Sequence, residues 1–399
     1  MDIAFNVGQI RREACQGESR DMTSLPTSPR TELESDGPLL AGQPHTASVV
    51  IDNYNYGRFL RTAIDSVLVQ TKAPAEIIVV DDGSADDSAE IIRSYGDRIV
   101  PVMKRNGGMG SALNAGFALA TGDVVFFLDA DDSMLPDAVE TVLASWKPGV
   151  VLIHYLMEVV DAERRVLGVH PPPPHKLAEG DVRECLLKTG SFSTTLTSAL
   201  AFSRAALLQV MPLDEAVFTQ AADGYLVRAV AMLGPVQAID RCLSRQCRHR
   251  ENDSEYGTNP SALAASFRKR IRYTRNELDT VRTMAERLGL EVDCDLGEHD
   301  ASYLVHRLFS LRLEPREHPL EDDKVHRLLR QYLRARWTQG GGLRGMVTDL
   351  AVATASTALP QALAAQLLVW RHAPTTRPKW LRDPFARRRR KWGSASVGP

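Results

Sequence analysis

Val124-Val125-Phe126-Phe127-Leu128-Asp129-Ala130-Asp131-Asp132 is the stretch on which the fold turns. Its unbroken apolar run, with Gly122-Asp123 before it, has the length and content of a strand buried on both faces, as in parallel sheets. Such a strand delivers the residues after it to the carboxyl edge of the sheet, where open α/β folds bind ligands. Here those residues are a cluster of carboxylates. Asp129, Asp131 and Asp132 repel one another unless a cation or water screens them, so this edge is expected to bind metal or to be well solvated. A plain acidic helix start would use the same residues. Asp129, Asp131, Ser133, Asp137 and Glu140 also match the ligand spacing of an EF-hand calcium loop, although Met134 stands where that loop needs Gly.

The residues upstream repeat the same design. Ser48-Val49-Val50-Ile51 reads as a short buried strand, stopped by Asp52-Asn53-Tyr54-Asn55-Tyr56-Gly57. Phe59, Leu60, Ala63, Ile64, Val67 and Leu68 recur at helical spacing, which predicts an amphipathic helix ended before Pro74. Glu76-Ile77-Ile78-Val79-Val80 is a second strand; it stops at Asp81-Asp82-Gly83-Ser84, and a helix over 86–95 comes next. Ile99-Val100-Pro101-Val102-Met103 makes a third strand, placed near an edge by its Pro. The loop Asn106-Gly107-Gly108-Met109-Gly110 leads into a helix over 111–120, and another helix starts at Pro136. This alternation predicts a largely parallel α/β domain of the kind that binds nucleotides. Asp52 with Tyr54, Asp82, the Gly loop, and Asp129 with Asp131 would then gather at one edge. The Gly loop is no dinucleotide fingerprint, because Leu113 stands where the third Gly belongs. Its backbone N–H groups are still suited to face a phosphate.

Composition narrows the class. A chain of 399 residues can hold one large domain with appendages, or two. A net charge of -2 argues against a nucleic-acid binder. Cys15, Cys185, Cys242, Cys247 and Cys294 are odd in number and lack CxxC spacing, which predicts neither a disulfide framework nor a zinc site and suits a reducing cytoplasm. Residues 1–45 are rich in Ser, Thr, Pro, Gly and charge, with no apolar period, and are expected to form a disordered tail. Met1-Asp2-Ile3-Ala4 lacks the basic-then-apolar layout of a signal peptide.

SVVIDNYNYGRFLRTAIDSVLVQT, IIVVDDGSADDS, NGGMGSALNAGFALATGD and VVFFLDADD, in that order and spacing, resemble the nucleotide-sugar half of a family 2 glycosyltransferase, and the likeness continues to about residue 252. The resemblance implies an α/β GT-A fold, a Rossmann-like mixed sheet, over residues 46–255. It also implies roles. Tyr54 would stack on the nucleobase. Asp82 would accept a hydrogen bond from the base's imide N–H, favouring uracil or thymine, and Asp52, Asn106, Gly107 and Ala130 would complete the nucleotide-sugar pocket. Asp129 would contact ribose or metal. Asp131 would coordinate Mn²⁺ or Mg²⁺, which neutralises the charge a departing nucleoside diphosphate gains. Asp132 would cap the next helix. Many relatives carry Arg in place of Leu113, where it helps hold the nucleotide; Lys104 or Arg105 would substitute for it, or be solvated surface charges.

The second half carries less pattern. Val150-Val151-Leu152-Ile153 predicts a strand, Pro171-Pro172-Pro173-Pro174 a stiff excursion, and 191–202 a strand beside the acceptor. Pro212-Leu213-Asp214-Glu215 and Ala222-Asp223-Gly224-Tyr225-Leu226 resemble the family passage that holds the general base, with Ala222 and Tyr225 where acids are usual. Asp223 would then take the acceptor hydroxyl's proton; the structural alternative is a helix cap. Cys247-Arg248-His249-Arg250-Glu251-Asn252 resembles the closing element of such sites, with His249 and Asn252 matching and His249 facing diphosphate or metal, or serving as a structural His.

Phe267, Ile271, Leu278, Val281 and Leu288 form a helical stripe, and helices over 301–313 and 325–337 complete a helical extension, 256–342. Residues 343–399 read as an apolar helix and a basic tail. The uncharged run 350–370 contains Pro360, Gln361 and Gln366 and is too weakly apolar for a confident membrane span. Arg387-Arg388-Arg389-Arg390-Lys391-Trp392 suits an anionic membrane surface, or is a solvated tail. The expected protein is a metal-dependent, inverting hexosyltransferase with a UDP-sugar donor and a glycan or lipid-linked acceptor, in cell-surface or extracellular polysaccharide synthesis. It would be cytoplasmic, peripheral at the inner face of the membrane. A non-catalytic sugar-nucleotide or glycan-binding homologue is the alternative. A nucleotidyltransferase would share the sheet, but its Gly-rich, Arg- and Lys-bearing first loop is absent after Ile51.

Overall fold

Apolar runs closed by polar turns place nine strands in one mixed sheet: β1 Ala47–Asn53, β2 Glu76–Asp81, β3 Val100–Met103, β4 Val124–Asp129, β5 Ser133–Met134, β6 Leu152–Asp161, β7 Val166–His170, β8 Leu200–Ser203 and β9 Val236–Arg248. The computed structural model describes residues 43–173, 175–249, 256–338, 343–373 and 376–378. The strand order is β3-β2-β1-β4-β8-β6-β9-β5, with β7 pairing to β6. β3 lies at the end of this order, as Pro101 predicts. The pairs among β1 to β4 are parallel, and so is β6 with β9; β8 runs antiparallel to both β4 and β6. The parallel expectation therefore holds for β1 to β4 and for β6 with β9, and β8 departs from it. Hydrophobic period reports which faces are buried and carries no information on strand direction.

Twelve helices flank or extend the sheet among the described residues: α1 Gly57–Leu68, α2 Ser88–Arg93, α3 Met109–Phe117, α4 Ala138–Ser145, α5 Arg183–Thr189, α6 Arg204–Val210, α7 Ala222–Ala231, α8 Pro260–Arg287, α9 Ala301–Leu313, α10 Val325–Thr338, α11 Leu343–Ala358 and α12 Gln361–His372. Both faces of the central strands are covered. Val49, Ile51, Phe126 and Leu128 pack with Leu60, Ile64 and Val67 of α1 on one side. Val50, Val80 and Phe127 pack with Leu113 and Phe117 of α3 on the other. This is why these strands read as continuous apolar runs rather than alternating ones. Each large side chain so buried contributes about 1.5–3 kcal/mol. Ile271, Leu278 and Val281 of α8 join the α3 side of the core, while Leu263 and Phe267 of the same helix anchor a third core with Leu304, Leu308, Leu328 and Leu368. The architecture is the α/β GT-A class with a helical C-terminal region.

Several expectations are corrected. Residues 191–199 are not a strand: a single 3-10 turn, Thr197–Ala199, precedes the short β8. The EF-hand reading fails, because Asp129 ends a strand and Ser133–Met134 forms β5 against β9. The run 350–370 is split at Pro360 into α11 and α12, and no helix among the described residues is long and apolar enough to cross a membrane. The N-terminal residues 1–42, Pro174 and the tail with Arg387–Trp392 lie outside the described residues.

Candidate active site

β1 and β4 end side by side, with Asp52 the register partner of Asp129. After β4 the chain turns, Asp132 N–H donating to the Asp129 carbonyl at 3.0 Å. One carboxylate oxygen each from Asp129, Asp131 and Asp132 then lie within 4.8 Å of one another. Ser198, in the 3-10 turn before β8, fixes this corner. Its Oγ accepts from Asp129 N–H at 3.1 Å, and its side chain bonds the Asp132 carboxylate. Asp132 also accepts from Cys247 N–H of β9 at 3.0 Å. It does not cap the next helix, which begins after Asp137.

Crowding leaves an electrostatic signature. Burial first, then repulsion from Asp52, Asp132, Asp131 and Asp223, raises Asp129 well above the ordinary carboxylate range. Burial raises Asp132 as well, with Asp131 adding to it and Ser198, the Cys247 amide and Arg164 opposing it. Asp52 is pushed up to about 7 by burial, against its own backbone hydrogen bond, with repulsion from Asp131, Asp223 and Asp82. One oxygen of Asp52 is buried without a hydrogen-bond partner. Converging hard oxygen ligands beside an unsatisfied carboxylate suit Mg²⁺ or Mn²⁺ chemically. The residues present fit such an ion.

The rim extends toward β2. Tyr54, 49% exposed, stands on the loop after β1. Asn53 Nδ2 donates to Asp81 Oδ1 at 2.8 Å, Asn55 N–H to Ser84 Oγ at 2.8 Å, and Ala85 N–H to Asn55 Oδ1 at 2.8 Å. These bonds lace the Tyr54 loop to the Asp81-Asp82-Gly83-Ser84 turn. Asp82 is buried and accepts from Lys104 Nζ at 2.6 Å, Gly107 N–H at 3.0 Å and Gly108 N–H at 2.7 Å. Met109 and Gly110 donate to the Thr219 and Phe218 carbonyls at 2.9 and 2.8 Å. The N–H groups of Gly107, Gly108, Met109 and Gly110 are thus engaged by acceptors on the protein rather than turned to a phosphate. Asn106 is exposed at the lip, with its amide beneath Gly83, and Ala130 is buried beside the acids. Leu113 is fully buried in the core, so an Arg there would have to bury its charge. Lys104 is no loose surface charge, whereas Arg105 is exposed.

Asp223 enters from the opposite direction. α7 starts after Ala221, which has a left-handed φ of 55°, and Asp223 is the second residue of the helix, not its cap. Its charge is felt by Asp52 and Asp129, which places it on the same rim. Behind it stands Glu277 of α8, raised by burial, relieved by Arg228 and raised further by Asp223 and Asp300. Arg228 bonds Glu277 at 2.8 Å, the Gly190 carbonyl at 2.9 Å and the Gly224 carbonyl at 3.0 Å. Ala222 is fully buried; Tyr225 donates to the Val210 carbonyl at 2.9 Å and packs on Phe218. The two family acids missing at these positions are therefore replaced by packing residues.

His249, just past β9, brings Nε2 to 2.8 Å from Asp131 Oδ2, and its ring stacks on Phe59 with centroids 4.5 Å apart. Asn252 lies outside the described residues. Sequence reading missed Ser198, the Lys104–Asp82 pair, the Phe59 platform and the Arg228–Glu277 brace. All are long-range contacts. Only Ser198 had a local signal, the Ser/Thr-rich run around it.

Comparison with known proteins finds similarity over the first half of the chain. Residues 48–196 match the model of the family described as glycosyl transferase family 2. Over these residues the chain is similar to that family. An uncharacterized glycosyltransferase of Nostoc sp. (strain PCC 7120) is 37% identical over 212 residues, 52% of this chain and 66% of that protein. One from Rickettsia prowazekii is 46% identical over 93 residues, 23% of this chain and 29% of that protein. The chain thus spans less than two thirds of these relatives' length. Among solved structures, S. aureus TarS 1-349 in complex with UDP-GlcNAc aligns with a TM-score of 0.45 at 15% identity, covering 81% of this chain and 90% of that one.

Proposed function

We propose that this protein transfers a sugar from a uridine-diphosphate-linked donor to a hydroxyl of a glycan or lipid-linked acceptor, with inversion, in polysaccharide synthesis at the cytoplasmic face of a membrane. The observation that carries the reading is the mutual repulsion of Asp52, Asp129, Asp131 and Asp223, with Asp82 reaching Asp52. Four sheet-edge acids and one helix acid are close enough for their charges to interact. Tyr54 offers an exposed ring for the base. Asp82 accepts from three protein donors in four hydrogen bonds, two on each oxygen, so an imide N–H would take over the site of the shared Gly107 bond. Asp131 and Asp129, with Asp132 beside them and His249 orienting Asp131, would hold Mn²⁺ or Mg²⁺. When bound, the ion supplies charge neutralisation to the departing diphosphate. Asp223, near the acids yet on a separate helix, takes the proton from the acceptor hydroxyl as the new bond forms. A carboxylate in this role contributes about 10²–10⁴ in rate.

The test is release of nucleoside diphosphate across a panel of sugar nucleotides, with Mn²⁺ or with chelator. Asp223→Asn is expected to bind UDP as the parent does and to lose about 10²–10⁴ in turnover. Full turnover by that variant, or release indifferent to metal, would remove the mechanism. UDP-sugar binding without release under every condition would favour a binding protein on the same fold.

A further inference from the structure

A concentration of positive charge outside the rim lies along α8. Arg268, Lys269, Arg272 and Arg275 recur at spacings that share a helix face, and with Pro319 they line a groove of about 580 Å³. Arg268 is neutralised by Glu314 at 2.5 Å, and Asp279, at the other end, is held by Arg282 at 2.7 Å. Arg272 and Arg275 are exposed and enter no ion pair among the described residues. The Lys269 ammonium and the Arg272 guanidinium both stand over the Tyr273 ring, at 5.6 and 5.8 Å. Tyr273 in turn donates to Gln220 Oε1 at 2.6 Å, which fixes that ring against the segment leading into α7. Cations are thus gathered on a fixed platform, with no carboxylate among the described residues paired to Arg272 or Arg275.

We propose that this groove binds a diphosphate or a cluster of phosphate groups. A single carboxylate would satisfy one guanidinium fork, whereas the two forks of Arg272 and Arg275 match a multiply charged phosphate ligand. If the transferase reading holds, the bearer of the phosphate is the acceptor. Glu277, which braces the helix of Asp223, lies on α8 about 7.5 Å of helix rise beyond Arg272. That assignment rests on the transferase reading; the phosphate site does not.

The probe is inorganic pyrophosphate, titrated calorimetrically into the full chain in chelator, which keeps the acid rim free of metal. Arg272→Gln/Arg275→Gln is expected to weaken binding by about tenfold or more, since charged hydrogen bonds are lost, with melting unchanged because both side chains are exposed. Raising salt should weaken the parent's binding steeply. In a second arm, both proteins are sedimented with phosphatidylcholine vesicles, with and without phosphatidic acid. A difference between the proteins with pyrophosphate assigns the groove to a free phosphate group; one with the acidic vesicles alone assigns it to a lipid headgroup. Identical behaviour in both arms overturns the proposal. On the unaltered protein, pyrophosphate should shield Arg272 and Arg275 from phenylglyoxal, read by mass spectrometry; equal labelling would count against the site. If UDP with Mn²⁺ binds neither protein while pyrophosphate still separates them, the transferase reading falls and the groove stands.

Discussion

Gly108 holds φ at +84°, and a methyl group on it would stand 2.5 Å from the Thr219 carbonyl oxygen. Only Gly avoids both the left-handed strain and that collision. Its N–H also holds Asp82, so backbone conformation and the candidate base pocket are one feature. Gly108→Ala is expected to lose about 1–3 kcal/mol in urea melts, and UDP affinity should fall with it. Gly149 is the control: its φ is +78°, but nothing lies within 4 Å of an added methyl, so Gly149→Ala should lose less. Equal losses at the two positions would mean the approach to Thr219 is not tight. The composition of this loop was readable from its residues. What its amides would meet was not, since Asp82, Phe218 and Thr219 are distant in sequence.

At the scale of elements, α7 carries Asp223 but does not aim it alone. Arg228 ties the first turn of α7 to Gly190 and to Glu277 of α8, and all three contacts are partly buried. Glu277→Gln keeps the shape and removes the ion pair. It is expected to cost roughly 1–3 kcal/mol of stability, because the guanidinium stays half-buried without its charged partner. In a transfer assay its kcat should fall while the KM for donor stays near the parent's, since the brace bonds Gly224, next to Asp223, and not the nucleotide side. A parallel loss of UDP affinity would show that the brace acts on the whole rim and not on α7. Local sequence marked Asp223 as a residue at the start of a helix. It could not mark α8 as the support, because Glu277 is an ordinary helical acid until Gly224 leaves room for it.

On the scale of the molecule, α8 joins the core beneath the sheet to the third core of the helical region. That third core holds two histidines. His306 is pushed down to about 3, by burial first and then by Arg270 and His372. His372 is pushed down to about 4 by burial, Arg371 and Arg270, against Asp349. Their rings pack with Tyr256 and Phe267, and Tyr256 meets His306 Nε2 at 3.2 Å. Both stay neutral in the folded state where an unfolded chain, with His near 6.5, takes up protons. Stability is therefore complete above about 6.5 and falls as pH drops toward 4, because the unfolded state binds more protons in that window. Melts between pH 7 and 4 should show this decline, with hydrogen exchange rising first in α9 and α12. His372→Phe should flatten the slope. A flat profile in the parent would mean these rings are already reached by water.

The sequence by itself determined strands β1 to β4, the order of their polar ends and the acid cluster at the carboxyl edge. Apolar runs, Gly turns and adjacent carboxylates are local features, and each states its burial or its charge within a few residues. It also marked Asp82 and Asp131 through motifs in register over the first half of the chain, and Asp223 through a weaker likeness in the second. Only the tertiary structure decided which groups complete that site. Ser198 on the acid turn, Lys104 on Asp82, Phe59 beneath His249 and Glu277 behind Asp223 become partners when segments far apart in the chain are brought within hydrogen-bond or stacking distance. The direction of β8 and the two-core role of α8 belong with them, because a hydrophobic period says that a face is buried and not what covers it.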